Sequence, residues 1–227
     1  MIPWVHLDTA TVPGGGTLKL MQRGAEFSIM AGARTLMNSR ASGSEEALAT
    51  LVCARLHDRC SMLIGGYGMG FTLRAALADL PGDARVVVAE LVPAVMTWAR
   101  GPMAGLTAGC LDDSRVTLHE GDVAEVIASR PEGFDAIILD VDNGPDGFSR
   151  DANSRLYGVQ GLAAARKAIR PNGILAVWSA APDDEFTGRL GSTGFSVEKV
   201  KARANKGRGG WHTIWIATKT AAAVRNR

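Results

Sequence analysis

The segment Ser61-Met62-Leu63-Ile64-Gly65-Gly66-Tyr67-Gly68-Met69-Gly70-Phe71-Thr72-Leu73 joins a short apolar run to a glycine-rich turn and the start of an apolar helix. The run from Met62 to Ile64 predicts a buried strand. Glycine permits positive φ angles and leaves no Cβ between the backbone and a ligand. The N-terminus of the following helix offers free N–H groups to a polar ligand. The pattern therefore predicts a strand, turn and helix that bind a polar ligand at the turn.

A second apolar run lies twenty positions past Gly70, where Val86-Val87-Val88-Ala89 ends in Glu90. An acid at the end of the second strand of such a unit is placed to accept hydrogen bonds from ribose hydroxyls. The order of strand, glycine turn, helix, strand and acid favours a nucleoside-binding site.

The rest of the chain continues the alternation of strands and helices, which predicts a doubly wound, mostly parallel α/β sheet of the Rossmann-like methyltransferase fold. A terminal antiparallel pair over 195–200 and 213–217, around a helix over 183–191, brings the sheet to seven strands. The other predicted strands cover 61–64, 85–89, the surroundings of 116–118, 134–139 and 174–178, and the other predicted helices cover 70–80, 123–129, 159–169 and a segment that begins near 93.

We expect three parts along the chain. Residues 1–43 form an irregular arm followed, from Thr17, by a small β-hairpin or meander; residues 44–219 form the Rossmann-like domain; residues 220–227 are a disordered tail. Ser42 and Glu45 have capping-box spacing and predict a helix to about Asp58. The basic segment 201–210 is interpreted as a solvated hairpin loop, with a mobile flap over the active site as the alternative.

Composition places the chain among cytoplasmic α/β proteins. The net charge of +2 argues against a dedicated nucleic-acid binder, and no signal peptide or membrane-spanning run is evident. The three cysteines show no CxxC pair and the histidines no metal-ligand spacing, so we expect a reducing compartment and no metal. The expected partner is a small-molecule substrate rather than a membrane or nucleic acid, and a homodimer is left open.

Ligands of open α/β sheets bind outside the carboxyl ends of the strands. Reading off those ends gives Trp178 and Ser179 as wall residues and two candidate catalytic acids, Asp140 and Asp142. Asp140 directly follows the apolar run from Ala136 to Leu139, where an unpaired carboxylate would be costly without a function. The candidate cofactor-binding residues are Gly65, Gly66, Tyr67, Gly68, Gly70, Glu90, Leu91, Gly121, Asp122 and Asp140.

These motifs, taken in order, resemble class I S-adenosylmethionine-dependent methyltransferases and, within them, the spermidine synthase (aminopropyltransferase) branch. Ile64-Gly65-Gly66 with Leu73-Arg74 is similar to the first motif of that branch. Ile137-Ile138-Leu139-Asp140, followed by Asp142 and Pro145, is similar to its catalytic motif, and Pro171-Asn172-Gly173 to its turn before strand five. The resemblance covers about residues 17–217.

The resemblance implies that Glu90 binds the ribose, Asp122 the adenine amino group, and Asp140 the attacking amine. Aminopropyltransferases carry an acid inside the glycine turn that contacts the free amine of decarboxylated S-adenosylmethionine. Here the turn holds Tyr67, Gly68 and Met69. This difference favours S-adenosyl-L-methionine itself and a methyltransferase acting on a small amine or similar nucleophile. The alternatives are an aminopropyltransferase that uses the decarboxylated form, a non-catalytic nucleoside-binding protein and, least favoured, a nicotinamide dehydrogenase.

Overall fold

The computed structural model describes residues 2–141, 144–145, 155–205 and 208–220. Its strands form a four-stranded antiparallel sheet followed by a seven-stranded mixed sheet. The strands are β1 Val5–Thr11, β2 Thr17–Arg23, β3 Glu26–Ala31, β4 Arg34–Asn38, β5 Ser61–Gly65, β6 Arg85–Glu90, β7 Val116–Glu120, β8 Phe134–Leu139, β9 Ile169–Ser179, β10 Phe195–Asn205 and β11 Arg208–Lys219. The helices described are α1 Gly43–Cys53, α2 Phe71–Asp79, α3 Pro93–Arg100, α4 Val123–Ser129, α5 Val159–Ala168 and α6 Asp184–Ser192.

The large sheet has the strand order β10-β11-β9-β8-β5-β6-β7. Strand β5 pairs in parallel with both β6 and β8, and β11 runs antiparallel to β9 and β10. The chain therefore winds outward in one direction from β5 to β7 and then crosses to the other side of β5. The carboxyl ends of β5, β6 and β8 border this switch point, where open sheets bind their ligands.

Both faces of the sheet are covered, which explains its near-continuous apolar strands. Helices α1, α2 and α3 bury their apolar sides in the core on one face. Helices α4, α5 and α6 do so on the other. The predicted fold class, a doubly wound mostly parallel seven-stranded sheet with an N-terminal β extension, is confirmed. Within the described residues, none of the helices combines the length and apolar character that crossing a membrane requires.

The N-terminal extension is larger than predicted. Residues 1–16 were expected to be irregular, but Val5–Thr11 is a strand that pairs antiparallel with β2. Of its seven residues only Ala10 is buried. Backbone hydrogen bonds hold β1 in place while it buries almost no side chains, so its sequence lacks the alternation that identifies a half-buried strand.

Three local predictions were wrong. Helix α1 begins after Ser42, but the Ser42 hydroxyl accepts no capping bond from a backbone amide and instead donates to Glu46 Oε1 at 3.0 Å. Residues Pro171 to Gly173 do not form a turn but lie within β9, where Asn172 adopts a φ of 65°. The basic segment 201–210 is mostly strand, because the β10–β11 ladder extends to Asn205 and Arg208. Lys206, and the predicted tail from residue 221 onward, lie outside the described residues.

Candidate active site

The glycine turn is held between the ends of the two strands beside β5. The Gly66 amide donates to the Ala89 carbonyl at 2.8 Å, and the Asp140 amide donates to the Gly65 carbonyl at 2.9 Å. Gly66 has a φ of +85°, and a Cβ there would overlap the carbonyl oxygen of Asp140. The turn thus requires glycine at this position for two reasons: the backbone conformation and the close approach of β8.

The two larger side chains of the turn are buried in the core. Tyr67 and Met69 are both buried, each 4% exposed. The Tyr67 hydroxyl lies 3.3 Å from Thr107 Oγ1 and 3.8 Å from Cys110 Sγ, and burial raises the pKa of this phenol. These two side chains occupy the core, so neither is available to a ligand.

Glu90 ends β6 beside the turn and is 8% exposed. Its Oε2 accepts hydrogen bonds from the amides of Tyr67 at 2.9 Å and Gly68 at 3.5 Å, and its Oε1 accepts from the Val92 amide at 2.9 Å. Burial raises the pKa of Glu90, while hydrogen bonds from these three amides and from that of Leu91 oppose the rise. The acid therefore shapes the turn, and Oε1 keeps acceptor capacity for a ribose hydroxyl.

Leu91, Gly121 and Asp122 lie at the same edge. The Gly121 amide donates to the Glu90 carbonyl at 2.9 Å, which joins the loop after β7 to the end of β6. Leu91 is 39% exposed directly after Glu90. Asp122 is exposed and caps α4, its Oδ1 accepting from the Ala124 amide at 2.8 Å. One carboxylate oxygen of Asp122 thus stabilises the helix, and adenine binding by the other remains a prediction.

Asp140 follows β8 and is half-buried. Thr72, in the first turn of α2, donates from Oγ1 to Asp140 Oδ2 at 2.5 Å. Burial raises the Asp140 pKa to about 6, and the Thr72 hydrogen bond opposes this rise. The second candidate acid, Asp142, lies outside the described residues.

Sequence analysis missed a second acid at this site. Glu45, in the first turn of α1, was interpreted as part of a helix cap and was assigned no catalytic role. Burial and then the negative charge of Asp140 raise the Glu45 pKa to about 7. The Ser44 hydroxyl donates to Glu45 Oε2 at 2.6 Å. The predicted helix cap is absent, which leaves Glu45 free for another role, and only the structure shows that absence.

Two aromatic side chains lie beside these acids. Leu139 of β8 pairs with Val177 of β9, so the residues that follow them, Asp140 and Trp178, lie side by side. Trp178 is 8% exposed, and its indole Nε1 has no hydrogen-bond partner within the residues that the structure describes. Its ring meets His212 edge to face, with centroids 4.8 Å apart. The predicted wall residue thus lies next to the candidate catalytic acid.

Comparison with known proteins places this geometry in a family. The model of the S-adenosyl-L-methionine-dependent methyltransferase family matches residues 92–210, slightly more than half of the chain. That range contains Gly121, Asp122 and Asp140. The family description also names the cofactor that the sequence predicts.

Two curated relatives share part of the chain. The polyamine aminopropyltransferase of Mycobacterium tuberculosis is 35% identical over 54% of this chain and 23% of its own length. Putrescine N-methyltransferase 4 of Nicotiana tabacum is 34% identical over 57% of this chain and 32% of its own length. The chain therefore matches about a quarter to a third of these relatives.

A solved structure shares the fold over nearly the whole chain. Spermidine synthase from Thermotoga maritima superposes with a TM-score of 0.77 over 97% of this chain and 75% of that one, at 17% sequence identity. At that identity the likeness concerns the fold, including its N-terminal sheet. Since the family model covers more than half of the sequence, this chain belongs to the S-adenosyl-L-methionine-dependent methyltransferase family.

Proposed function

We propose that this chain transfers the methyl group of S-adenosyl-L-methionine to the nitrogen of a small amine. The observation that carries this choice is the glycine turn, which contains no acidic residue and whose Tyr67 and Met69 side chains are buried in the core. An acid in the turn would attract a cofactor that has lost its carboxylate and repel one that keeps it. A turn without an acid does not repel the carboxylate of the complete cofactor.

The residues at the strand ends fit the nucleoside of this cofactor. Glu90 Oε1 accepts from the Val92 amide, and a carboxylate oxygen that accepts one hydrogen bond could accept a second from a ribose hydroxyl. The exposed Asp122 has a second carboxylate oxygen that would accept from the adenine amino group. Both acids lie at the edge where β6 and β7 end, so one nucleoside could reach both.

Asp140 serves the acceptor in this proposal. When bound, the cofactor supplies an electrophilic methyl group on a sulfonium. The half-buried Asp140 carboxylate would orient the attacking amine and stabilise the positive charge that develops on its nitrogen. Displacement of this kind depends mainly on positioning, and the Thr72 hydrogen bond fixes the carboxylate for that purpose.

Aminopropyl transfer is the second candidate. The specific observation in its favour is that Asp140 and Glu45 place two carboxylates near the glycine turn, where they could bind the free amine of decarboxylated S-adenosylmethionine. The name of the mycobacterial relative is consistent with this alternative.

Calorimetry with both cofactors separates the candidates. Methyl transfer predicts tight binding of S-adenosyl-L-methionine and S-adenosylhomocysteine and weaker binding of the decarboxylated cofactor. A clear preference for the decarboxylated form would reject methyl transfer. The Asp140→Asn variant tests a non-catalytic role, because that role predicts that cofactor binding stays unchanged and that there is no turnover to lose. Loss of turnover with retained cofactor binding would exclude it.

A further inference from the structure

We propose that Glu45 is a second catalytic carboxylate, which binds the acceptor's ammonium group together with Asp140 and takes the proton that the nitrogen must lose. This inference rests on the proposed function, because it assigns the acceptor side of the same site. It also names the substrate class, a primary or secondary aliphatic amine that is cationic in solution.

Three structural elements bring the relevant groups to one place. Asp140 follows strand β8, and Trp178 lies beside it on strand β9. His212, on strand β11, packs against the Trp178 ring. His212 Nδ1 lies 2.9 Å from the hydroxyl of Ser44, which is fully buried at the start of α1. Ser44 in turn holds the Glu45 carboxylate. Glu45 is thus fixed from the sheet side as well as by its own helix.

The donors and acceptors can be assigned along the series of hydrogen bonds from His212 through Ser44 to Glu45. Ser44 has a single hydroxyl hydrogen and donates it to Glu45 Oε2. The nitrogen of His212 that faces Ser44 must therefore donate, so His212 carries its proton on Nδ1. Burial lowers the His212 pKa, which is consistent with a neutral ring. Ser44 and His212 are positioning residues that hold Glu45 in one orientation.

The charges that face Glu45 favour a cationic ligand. Asp140 faces it from the end of β8, and Glu46 is its neighbour on α1. The cation on α2, Arg74, is committed to Glu46 at 2.6 Å and to the Leu106 carbonyl. Among the described residues, no cation is paired with Glu45 or Asp140 by a hydrogen bond or ion pair. Burial raises the pKa of Glu45 to about 7 and that of Asp140 to about 6, so each carboxylate can take up a proton near neutral pH and is charged above it.

The pair accounts for the proton balance of the transfer. The ammonium form of the acceptor has no lone pair, so one proton must leave the nitrogen before or during attack. The nitrogen lone pair forms the new N–C bond, the C–S bond breaks, and its electron pair stays on sulfur as a neutral thioether. The departing proton converts the Glu45 carboxylate to its neutral acid, while Asp140 remains charged beside the new cationic nitrogen.

The test compares Glu45→Gln with Glu185→Gln, an exposed glutamate of α6. Putrescine is the probe, and its binding is measured calorimetrically with S-adenosylhomocysteine present. We expect Glu45→Gln to weaken putrescine binding about tenfold and to lower methyl transfer about a hundredfold. Its S-adenosylhomocysteine affinity should stay at the wild-type value. Glu185→Gln should leave all three measurements unchanged.

The pH profile provides the second measurement. In the wild type, putrescine binding should increase with pH as Glu45 and Asp140 lose their protons, with its midpoint between the two pKa values. In Glu45→Gln that increase should move to lower pH, since Asp140 loses a like-charged neighbour. For the positioning residues, Ser44→Ala should shift the pH profile and reduce turnover more than it reduces nucleoside binding.

Each contrary result has a distinct meaning. If Glu45→Gln keeps wild-type putrescine binding, turnover and pH profile, Glu45 is not catalytic and the proposed function stands. If the wild type binds no S-adenosyl nucleoside, the proposed function is wrong. In that case, putrescine binding that depends on Glu45 would still support the amine-binding site. Absence of putrescine binding by the wild type overturns the inference.

Discussion

The Glu90 carboxylate accepts a hydrogen bond from the Tyr67 amide, which joins the end of β6 to the glycine turn 23 residues earlier in the chain. Together with the bond from Val92, this contact uses both carboxylate oxygens before any ligand binds. The acid expected to bind ribose therefore also fixes the shape of the backbone that surrounds the ligand. Loss of its acceptor capacity should affect folding and cofactor binding together.

Glu90→Gln tests this double role. The amide nitrogen of glutamine cannot accept, so one backbone N–H would be left unsatisfied in a buried position. We expect the free energy of unfolding to fall by about 1–3 kcal/mol and S-adenosylhomocysteine affinity to fall with it, as measured by urea denaturation and calorimetry. Glu120, which pairs with Glu90 in the β6–β7 register but is exposed, provides the stability control. Equal stability losses in Glu90→Gln and Glu120→Gln would contradict the role of the buried carboxylate.

Gly66→Ala should be among the most destabilising single substitutions at the site. The new Cβ would overlap the Asp140 carbonyl, and the φ of +85° strains any L side chain. We expect a loss of roughly 3 kcal/mol or more, since backbone strain and overpacking both contribute. Gly188→Ala is the matched control, because Gly188 lies within α6 with open space around it.

That control should change stability in the opposite direction. Alanine in a helix interior is favoured over glycine by about 0.5–1 kcal/mol, so Gly188→Ala should raise the melting temperature. Thermal denaturation of the two variants beside the wild type gives the comparison. A Gly66→Ala protein as stable as the wild type would show that the turn and the end of β8 can separate without cost.

Thr72→Val removes the hydroxyl that donates to Asp140 and keeps the shape of the side chain. Because that hydrogen bond lowers the Asp140 pKa, its loss should raise the pKa above its present value of about 6. The acidic limb of the pH–rate profile should then move upward by about one pH unit, as loss of a hydrogen bond to a charged group implies. Thr97→Val, at an exposed position of α3, should leave the profile unchanged. If the acidic limb of the pH–rate profile does not move in Thr72→Val, Asp140 is not the group whose titration controls turnover.

The sequence was sufficient to predict the helices and strands whose side chains alternate between buried and exposed positions or form apolar runs. Strand β8 was predicted with its observed bounds, because apolar residues fill Phe134 to Leu139 apart from Asp135. Strand β1 was not predicted, since backbone pairing rather than burial holds it. Glu90 and Asp140 were found because each ends an apolar strand. Glu45 was not found, since its position near Asp140 depends on the packing of α1 against the sheet, which no local pattern records.

The pKa of Asp140 leads to a prediction about stability. Its pKa in the folded state, about 6, lies above the usual value of 3.8. Between these values the folded protein binds the proton more tightly than the unfolded chain. The free energy of unfolding should therefore decrease as the pH rises through this window, and the loss should persist at higher pH.

Asp140→Asn removes this titration and keeps an oxygen that can accept from Thr72. The variant should match the wild type near pH 4 and be more stable by about 2–3 kcal/mol near pH 8, because one pKa unit corresponds to 1.36 kcal/mol. Urea denaturation at both pH values gives the difference, and the exposed Asp58→Asn serves as the control. A variant that gains stability at pH 8 while losing turnover would show that the chain retains a costly buried charge for its chemistry. Equal stability of variant and wild type at both pH values would instead mean that Asp140 titrates as an ordinary surface carboxylate.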